Sequence, residues 1–143
     1  MSNATLIAAN LRDLLNSTFA VDYPRCNFWV TVMDADFMQY PFVVLENTDA
    51  DGSDQGVVFN LITSDQTDLT ARRRTEAASD EKAEMLIDVF VDRREVRAFY
   101  RRDGWEGQCV RENVVIEFGD WFAEIALDDI YEAVEFPAVE VVA

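Results

Sequence analysis

The residues best suited to chemistry are three aspartates in the segment NTDADGSDQ, namely Asp49, Asp51 and Asp54. Closely spaced carboxylates beside a glycine are typical of loops that bind Ca²⁺. An EF-hand loop, however, has glycine at its sixth position and a glutamate at its twelfth, whereas Gly52 is fourth when counted from Asp49. We therefore interpret the segment as a solvated acidic turn and expect no bound metal, with these three aspartates as the candidate ligands if a divalent cation does bind.

Other catalytic arrangements are restricted by composition. The chain has no histidine, which excludes histidine bases, Ser-His-Asp and Cys-His arrangements and histidine metal ligands. It also has no glycine-rich phosphate loop. The pairs Asp34 with Asp36 and Asp128 with Asp129 are interpreted as surface acids at strand ends. We expect no enzyme activity, no cofactor and no small-molecule substrate, and an enzyme working through carboxylates or a metal remains the alternative.

Arginines form the second group of candidate residues. Arg72, Arg73 and Arg74 are consecutive in a chain whose net charge is −16, and Arg93 and Arg94 follow in the next charged segment. A solvated loop is one interpretation of the triplet. The functional interpretation is a subunit interface, because a chain this negative must offset its own repulsion before it can bind another copy of itself. We predict that these five arginines contribute to such an interface.

Length and charge limit the class of protein. The 143 residues, half of them hydrophobic, suffice for one domain with its own core. The acidic surface disfavours binding to nucleic acid or to anionic lipid. No signal peptide or membrane-spanning run is recognised, so we expect synthesis in the cytoplasm. Cys26 and Cys109 lie in no metal-type spacing and are expected to be reduced thiols, a disulfide between them being the alternative.

The first half of the chain predicts one helix and three strands. Apolar residues at helical spacing predict an amphipathic helix over 5–19. Alternating apolar residues predict strands over 28–33, 42–46 and 56–63, the last two forming a hairpin around the acidic turn. The segment 64–74 is predicted to be a charged loop.

The second half predicts a long central helix from Thr75 to Arg94, because Ala78, Met85, Leu86, Val89 and Phe90 recur at three- and four-residue intervals. An extended segment over 95–102 is favoured after it, since arginines stacked at every fourth position would repel. Continuation of the helix to Arg102 is the alternative.

A two-residue Gly119-Asp120 turn predicts a hairpin of strands 110–118 and 121–127. Residues 132–143 are predicted to be an extended arm. The expected fold is α+β: a mostly antiparallel sheet of about five strands, with an N-terminal helix and the long central helix packed on it.

The chain resembles structural proteins of phages and prophages of Bacteroides-type bacteria. The resemblance lies in this order of elements, in the short segments YPFVVLE and ASDEKAEMLIDVF, and in the acid-rich run to Phe136-Pro137. Those phage proteins are similar to tail terminator and tail-completion (neck) proteins of long-tailed phages. The resemblance implies a ring-forming subunit without an active site, whose partners are further copies and other virion proteins. A carboxylate-lined lumen would let DNA pass without adhering. A small acidic binding module, or an inhibitor of a basic partner, is the alternative.

Overall fold

The computed structural model describes residues 3–22, 28–35, 40–48, 54–66, 68, 71–72, 75, 83–118 and 121–136. Within these residues, eight strands form two sheets, α-helices span 3–22 and 127–130, and residues 68, 71–72 and 75 are also helical. The elements in chain order are α1 (Asn3–Asp22), β1 (Phe28–Ala35), β2 (Tyr40–Thr48), β3 (Asp54–Ile62), β4 (Ala83–Phe90), β5 (Val96–Tyr100), β6 (Gly107–Val110), β7 (Asn113–Phe118), β8 (Trp121–Ala126) and α2 (Leu127–Ile130).

The larger sheet has six strands that lie side by side in chain order, β1 to β6, and β7 and β8 form a separate antiparallel pair. All neighbours in the larger sheet are antiparallel except β3 and β4, which are parallel. The predicted α+β class with a mostly antiparallel sheet is confirmed, with six strands in the main sheet. The predicted hairpin of the second and third strands is confirmed as well.

Helix α1 covers one face of this sheet. Ile7, Leu11, Leu15 and Phe19 recur every four residues and are fully buried, which places them on one side of the helix. They pack in one core with Phe59 and other alternate residues of β2 to β5, and with the inner side of the β7–β8 pair. We call this the near face, and the prediction of an N-terminal helix is confirmed.

The predicted central helix is wrong over residues 83–94, although Thr75, its first residue, is helical. Residues 83–90 form β4, a strand between β3 and β5, while residues 76–82 lie outside the described residues. Met85, Ile87 and Val89 point to the near face, and Leu86, Asp88 and Phe90 to the opposite side, which we call the far face. A strand buried on both faces is apolar at nearly every position, so its residues also satisfy a helical spacing by coincidence.

The favoured extended segment over 95–102 is confirmed for residues 96–100, whereas residues 101–103 form a 3-10 turn, and the continued helix is excluded. β5 pairs with β4, and Val96, Ala98 and Tyr100 share the near-face core. The strand ends in a 3-10 turn closed by Gly104 at a φ of 69°, with Trp105 N–H donating to the carbonyl of Tyr100 at 3.0 Å. This is the hydrogen-bond pattern of a Schellman motif, in which glycine avoids the strain of left-handed backbone.

The predicted hairpin at 110–127 is confirmed as β7 and β8, with Phe118 paired to Trp121. Val110 belongs to β6 instead, residues 111–112 form a bend, and Leu127 begins α2. Trp105 is half-buried on the far face against Leu86 and Phe99, and the side chain of Trp121 lies outside the described residues.

The far face is less uniform than the near face. Its apolar clusters are small, one formed by Leu86 and Phe99 and another by Ile62 and Phe90. Between them lie the buried polar residues Asn60 and Asp88.

Candidate functional site

Of the three candidate aspartates in the acidic turn, only Asp54 lies in the described part of the chain. Asp54 begins β3 and pairs with Thr48 of β2; its side chain, Asp49 and Asp51 lie outside the described residues. Among the described residues, no three His, Cys, Asp or Glu side chains gather into a group that could hold a metal ion.

The five predicted interface arginines occupy different positions. Arg72 is exposed and helical, and Arg73 and Arg74 lie outside the described residues. Arg93 and Arg94 are exposed in the bend that joins β4 to β5. The structure therefore places this pair at a sheet turn and not at a helix end, as a consequence of the misassigned helix.

On the far face, two guanidinium groups lie over one buried ring. The guanidinium carbons of Arg93 and Arg97 are 4.3 Å and 5.2 Å from the centre of the Phe90 ring. One carboxylate oxygen of Glu95 forms ion pairs with both guanidinium groups, at 2.9 Å from Arg93 and 3.0 Å from Arg97. The two arginine side chains remain 45% and 42% exposed. We call Phe90, Arg93, Glu95 and Arg97 the arginine face.

This arrangement holds the two cations in place while leaving them accessible. Ring stacking and a shared carboxylate restrict the rotamers of both side chains, so less freedom is lost when an anion binds. Each guanidinium carries five N–H donors in a planar fork, of which Glu95 uses one nitrogen of each. The arginine face is therefore suited to bind carboxylates.

Other arginines of the same region are held by acids of the near-face layer. Arg94 forms an ion pair with Asp128 at the start of α2, and Arg102 pairs with Glu117 of β7. These contacts tie β4 and β5 to the elements that pack on the near face.

A run of exposed acids lies beside Arg94. Asp128, Asp129, Glu132 and Glu135 are all exposed along α2 and the turn that follows it, and we call them the acidic ledge. Their neighbours Ile130, Tyr131, Val134 and Phe136 pack into or against the near-face core. Apart from Asp128, none of the ledge carboxylates has an ion-pair partner within the described part of the chain.

Two amide side chains of α1 fix the backbone of the ledge. Asn10 donates hydrogen bonds to the carbonyls of Ile130 and Glu132, both at 3.0 Å, and Asn3 donates to Glu135 at 3.0 Å. The ledge is thus a rigid surface up to residue 136. Residues 132–136 of the predicted extended arm pack on the molecule's own core in this way, and the rest of the arm, 137–143, lies outside the described residues and stays a prediction.

Tyr131 attaches the ledge to the bend that carries the arginines. Its hydroxyl oxygen is 2.8 Å from the carbonyl oxygens of both Phe90 and Glu95, and the N–H of Glu95 donates to it at 3.3 Å. Burial raises the pKa of Tyr131 well above its ordinary value, so the phenol stays protonated and can donate. The arginine face and the acidic ledge are consequently held in a fixed relation to each other.

The buried polar pair lies next to the arginine face. Four residues lie directly opposite one another on the neighbouring strands β3, β4, β5 and β6, in the order Asn60, Asp88, Arg97 and Cys109. The amide of Asn60 donates to Asp88 at 3.2 Å, and the other amide atom, Oδ1, is buried without a partner among the described residues. Cys109 is a free, exposed thiol, and Cys26 lies outside the described residues.

Sequence reasoning missed Arg97, Glu95 and the ledge as a unit. Alternation in EVRAFY already places Arg97 on the opposite side of β5 from Val96 and Ala98. The hydrogen bonds by which Asn3 and Asn10 fix the ledge backbone join residues more than 100 positions apart. No local sequence pattern indicates these bonds.

Comparison with known proteins found no match to a family model, to a curated protein or to a solved structure. No helix within the described residues is long and apolar enough to cross a membrane.

Proposed function

We propose that the protein is a non-enzymatic assembly subunit that associates with further copies of itself into a ring, as a neck or tail-completion component of a phage or prophage particle does. Its partners in this proposal are other copies and other virion proteins. Specific binding to nucleic acid, a membrane or a small molecule is not part of the role. The protein would be made in the cytoplasm and incorporated into the virion.

The observation that carries this proposal is the placement of two charged groups. Arg93 and Arg97, exposed and held in place, lie on the far face, and the exposed acids of the acidic ledge lie in the near-face layer, in a chain of net charge −16. Two such chains repel each other at long range. Association therefore needs a cationic patch that can meet the acids of a neighbour, and the arginine face supplies it.

The negative surface supports the ring in a second way. DNA that slides through a protein ring is retarded by cationic contacts with its phosphates. A lumen lined by carboxylates avoids such contacts. The excess of acids over bases in this chain would supply carboxylates for such a lining.

The proposal is tested by the mass of the protein in solution. Light scattering coupled to size exclusion, at increasing protein concentration and low ionic strength, is expected to give one discrete oligomer, and negative-stain electron microscopy should show closed rings. Raising the salt should dissociate them, because exposed ion pairs are screened. A strict monomer at every concentration, also with a phage tail-tube protein added, would contradict the proposal.

A second function is favoured by the rigidity of the ledge. A fixed row of carboxylates is also suited to a small binding module or inhibitor that covers a basic surface of another protein. Affinity capture from a host lysate distinguishes the two. One stoichiometric basic partner with a monomeric protein supports the binding module, whereas self-association supports the assembly subunit.

A further inference from the structure

The arginine face and the acidic ledge differ in charge and lie on opposite sides of the sheet, at the same end of the molecule. Arg93 and Arg97 cover Phe90 on the far face. The ledge follows β8 and packs on α1 in the near-face layer. A second copy that presents its ledge to the arginine face therefore leaves its own arginine face open.

We infer that copies of the chain associate head to tail, with the arginine face of one copy against the acidic ledge of the next. This inference rests on the proposed function and names the two surfaces that would make the contact. A contact between two different surfaces closes into a ring when the rotation per subunit divides a full turn. It is thus the kind of interface that the proposed ring requires.

The chemistry of the two surfaces is complementary. Asp129, Glu132 and Glu135 are exposed carboxylates without an ion-pair partner among the described residues, and the arginine face offers planar guanidinium groups already oriented by Phe90 and Glu95. Arginine binds carboxylates through two parallel N–H donors when the geometry permits. The ion pair of Arg94 with Asp128 shows that an arginine already binds a ledge carboxylate within one copy, there through one nitrogen.

Rigidity on both sides favours the contact. The ledge backbone is fixed by Asn3 and Asn10, and the bend that carries Arg93 is fixed by Tyr131. Association therefore orders few additional side chains, which reduces the entropic cost of the contact.

The test exchanges the charges of the two surfaces. One variant carries Arg93→Glu and Arg97→Glu, and the other carries Asp129→Arg and Glu132→Arg. Each variant alone is expected to lose self-association by about tenfold or more, because like charges then face each other at the contact. An equimolar mixture is expected to regain self-association, since the native surfaces meet at one junction and the exchanged surfaces at the next. Copies that alternate in this way close into a ring when their number is even.

Two controls make the outcome specific. The double change Arg93→Gln with Arg97→Gln and the single change Arg12→Glu lower the net charge equally. Arg12, however, is an exposed residue of α1 whose ion-pair partner is Asp13, and it belongs to neither surface. Only the glutamine variant is expected to weaken association. Circular dichroism and thermal unfolding of every variant establish that the fold is retained.

The outcomes separate the two levels of the proposal. Wild-type protein that stays monomeric contradicts the proposed function. Wild-type protein that assembles while both exchanged variants also assemble unchanged, or a mixture that stays monomeric, overturns the head-to-tail contact and leaves the proposed function standing.

Discussion

The two faces of the six-stranded sheet are built from different residue types, although β3, β4 and β5 contribute to both. The near face is a single apolar core shared with α1 and the β7–β8 pair. The far face has two small apolar clusters separated by Asn60 and Asp88, with the arginine face beside them. Continuous apolar packing contributes most of the stability of a domain, so the near face stabilises the fold. The far face is the one where polar groups are available for contact.

The largest loss of stability is expected for alanine substitutions at two adjacent residues of β4, one on each face of the sheet. Ile87→Ala opens a cavity in the near-face core and should cost about 4 kcal/mol of unfolding free energy, in the upper part of the usual range. Leu86→Ala removes a far-face side chain with fewer buried neighbours and should cost about 2 kcal/mol. Urea unfolding of both variants measures the difference. Equal losses would contradict the assignment of the main core to the near face.

The buried polar pair comes next. Asn60→Ala removes the amide that donates to Asp88 at 3.2 Å and should lower the unfolding free energy by about 2 kcal/mol, because a buried oxygen of Asp88 then loses this hydrogen bond. Val58→Ala, two residues earlier on the same face and half-buried, is the matched control and should cost about 1 kcal/mol. An Asn60→Ala protein as stable as wild type would mean that the pair does not stabilise the far face.

A smaller effect is expected at the glycine opposite Phe99. A Cβ atom on Gly107 would lie 2.5 Å from Cε1 of the Phe99 ring, so Gly107→Ala must displace the ring and should cost about 1 to 2 kcal/mol. In a Phe99→Leu background the cost should fall, and a double-mutant cycle measures that coupling.

Gly104→Ala is the matched control for this clash. A Cβ atom at this position would have nothing within 4 Å, so the change adds only left-handed backbone strain, of about 1 kcal/mol. Unlike Gly107→Ala, it should be insensitive to Phe99→Leu. An equal response of both alanine variants would show that the ring does not clash.

The smallest loss of stability is expected for an exposed hydrogen bond between Ser64 and Asp92, which follow β3 and β4 in the chain. The carboxylate of Asp92 accepts a hydrogen bond from Ser64 N–H at 2.9 Å. Partial burial opposes its ionisation, but the hydrogen bonds from Ser64, a hydrogen bond from the backbone of Asp92 itself and the charge of Arg93 together lower the pKa of Asp92. Asp92→Asn should therefore cost about 0.5 kcal/mol at neutral pH, as for a solvent-screened hydrogen bond.

The pH dependence of this contact has a definite sign. Because the folded-state pKa of Asp92 lies below the ordinary value of about 3.9, its stabilisation is complete above that pH and is lost as the pH falls through the folded-state pKa. The wild-type and Asp92→Asn proteins should thus approach equal stability in acid. Thermal unfolding between about pH 3 and pH 7 measures the difference, and a constant gap over that range would contradict it.

Local pattern was sufficient to predict α1, β1 to β3, β5 and the β7–β8 hairpin. Each has a period or turn signal of its own, such as the spacing from Ile7 to Phe19 or the Gly119-Asp120 dipeptide. β4 was not predictable in this way, because Met85, Leu86 and Ile87 are consecutive and buried on both faces. Periodicity cannot distinguish such a strand from a buried helix.

Prediction of the arginine face and the acidic ledge was limited by the same difficulty of telling a buried strand from a helix. Reading 83–90 as a helix placed Arg93 and Arg94 at a helix end and left Arg97 unassigned. As a strand followed by a bend, the same segment brings Arg93 and Arg97 over Phe90 with Glu95 between them. The acidic ledge required contacts between α1 and the end of the described chain, which only the tertiary fold provides.

The parallel pairing of β3 and β4 has a consequence for the order of folding. The strands β1 to β3 are consecutive antiparallel neighbours, as are β4 to β6, so each half can form by closing short loops. Joining the halves requires closure of the whole connection from residue 63 to residue 82, which is entropically slower. We expect this docking to determine the folding rate, and the facing edges of β3 and β4 to stay open to wrong partners until it is complete.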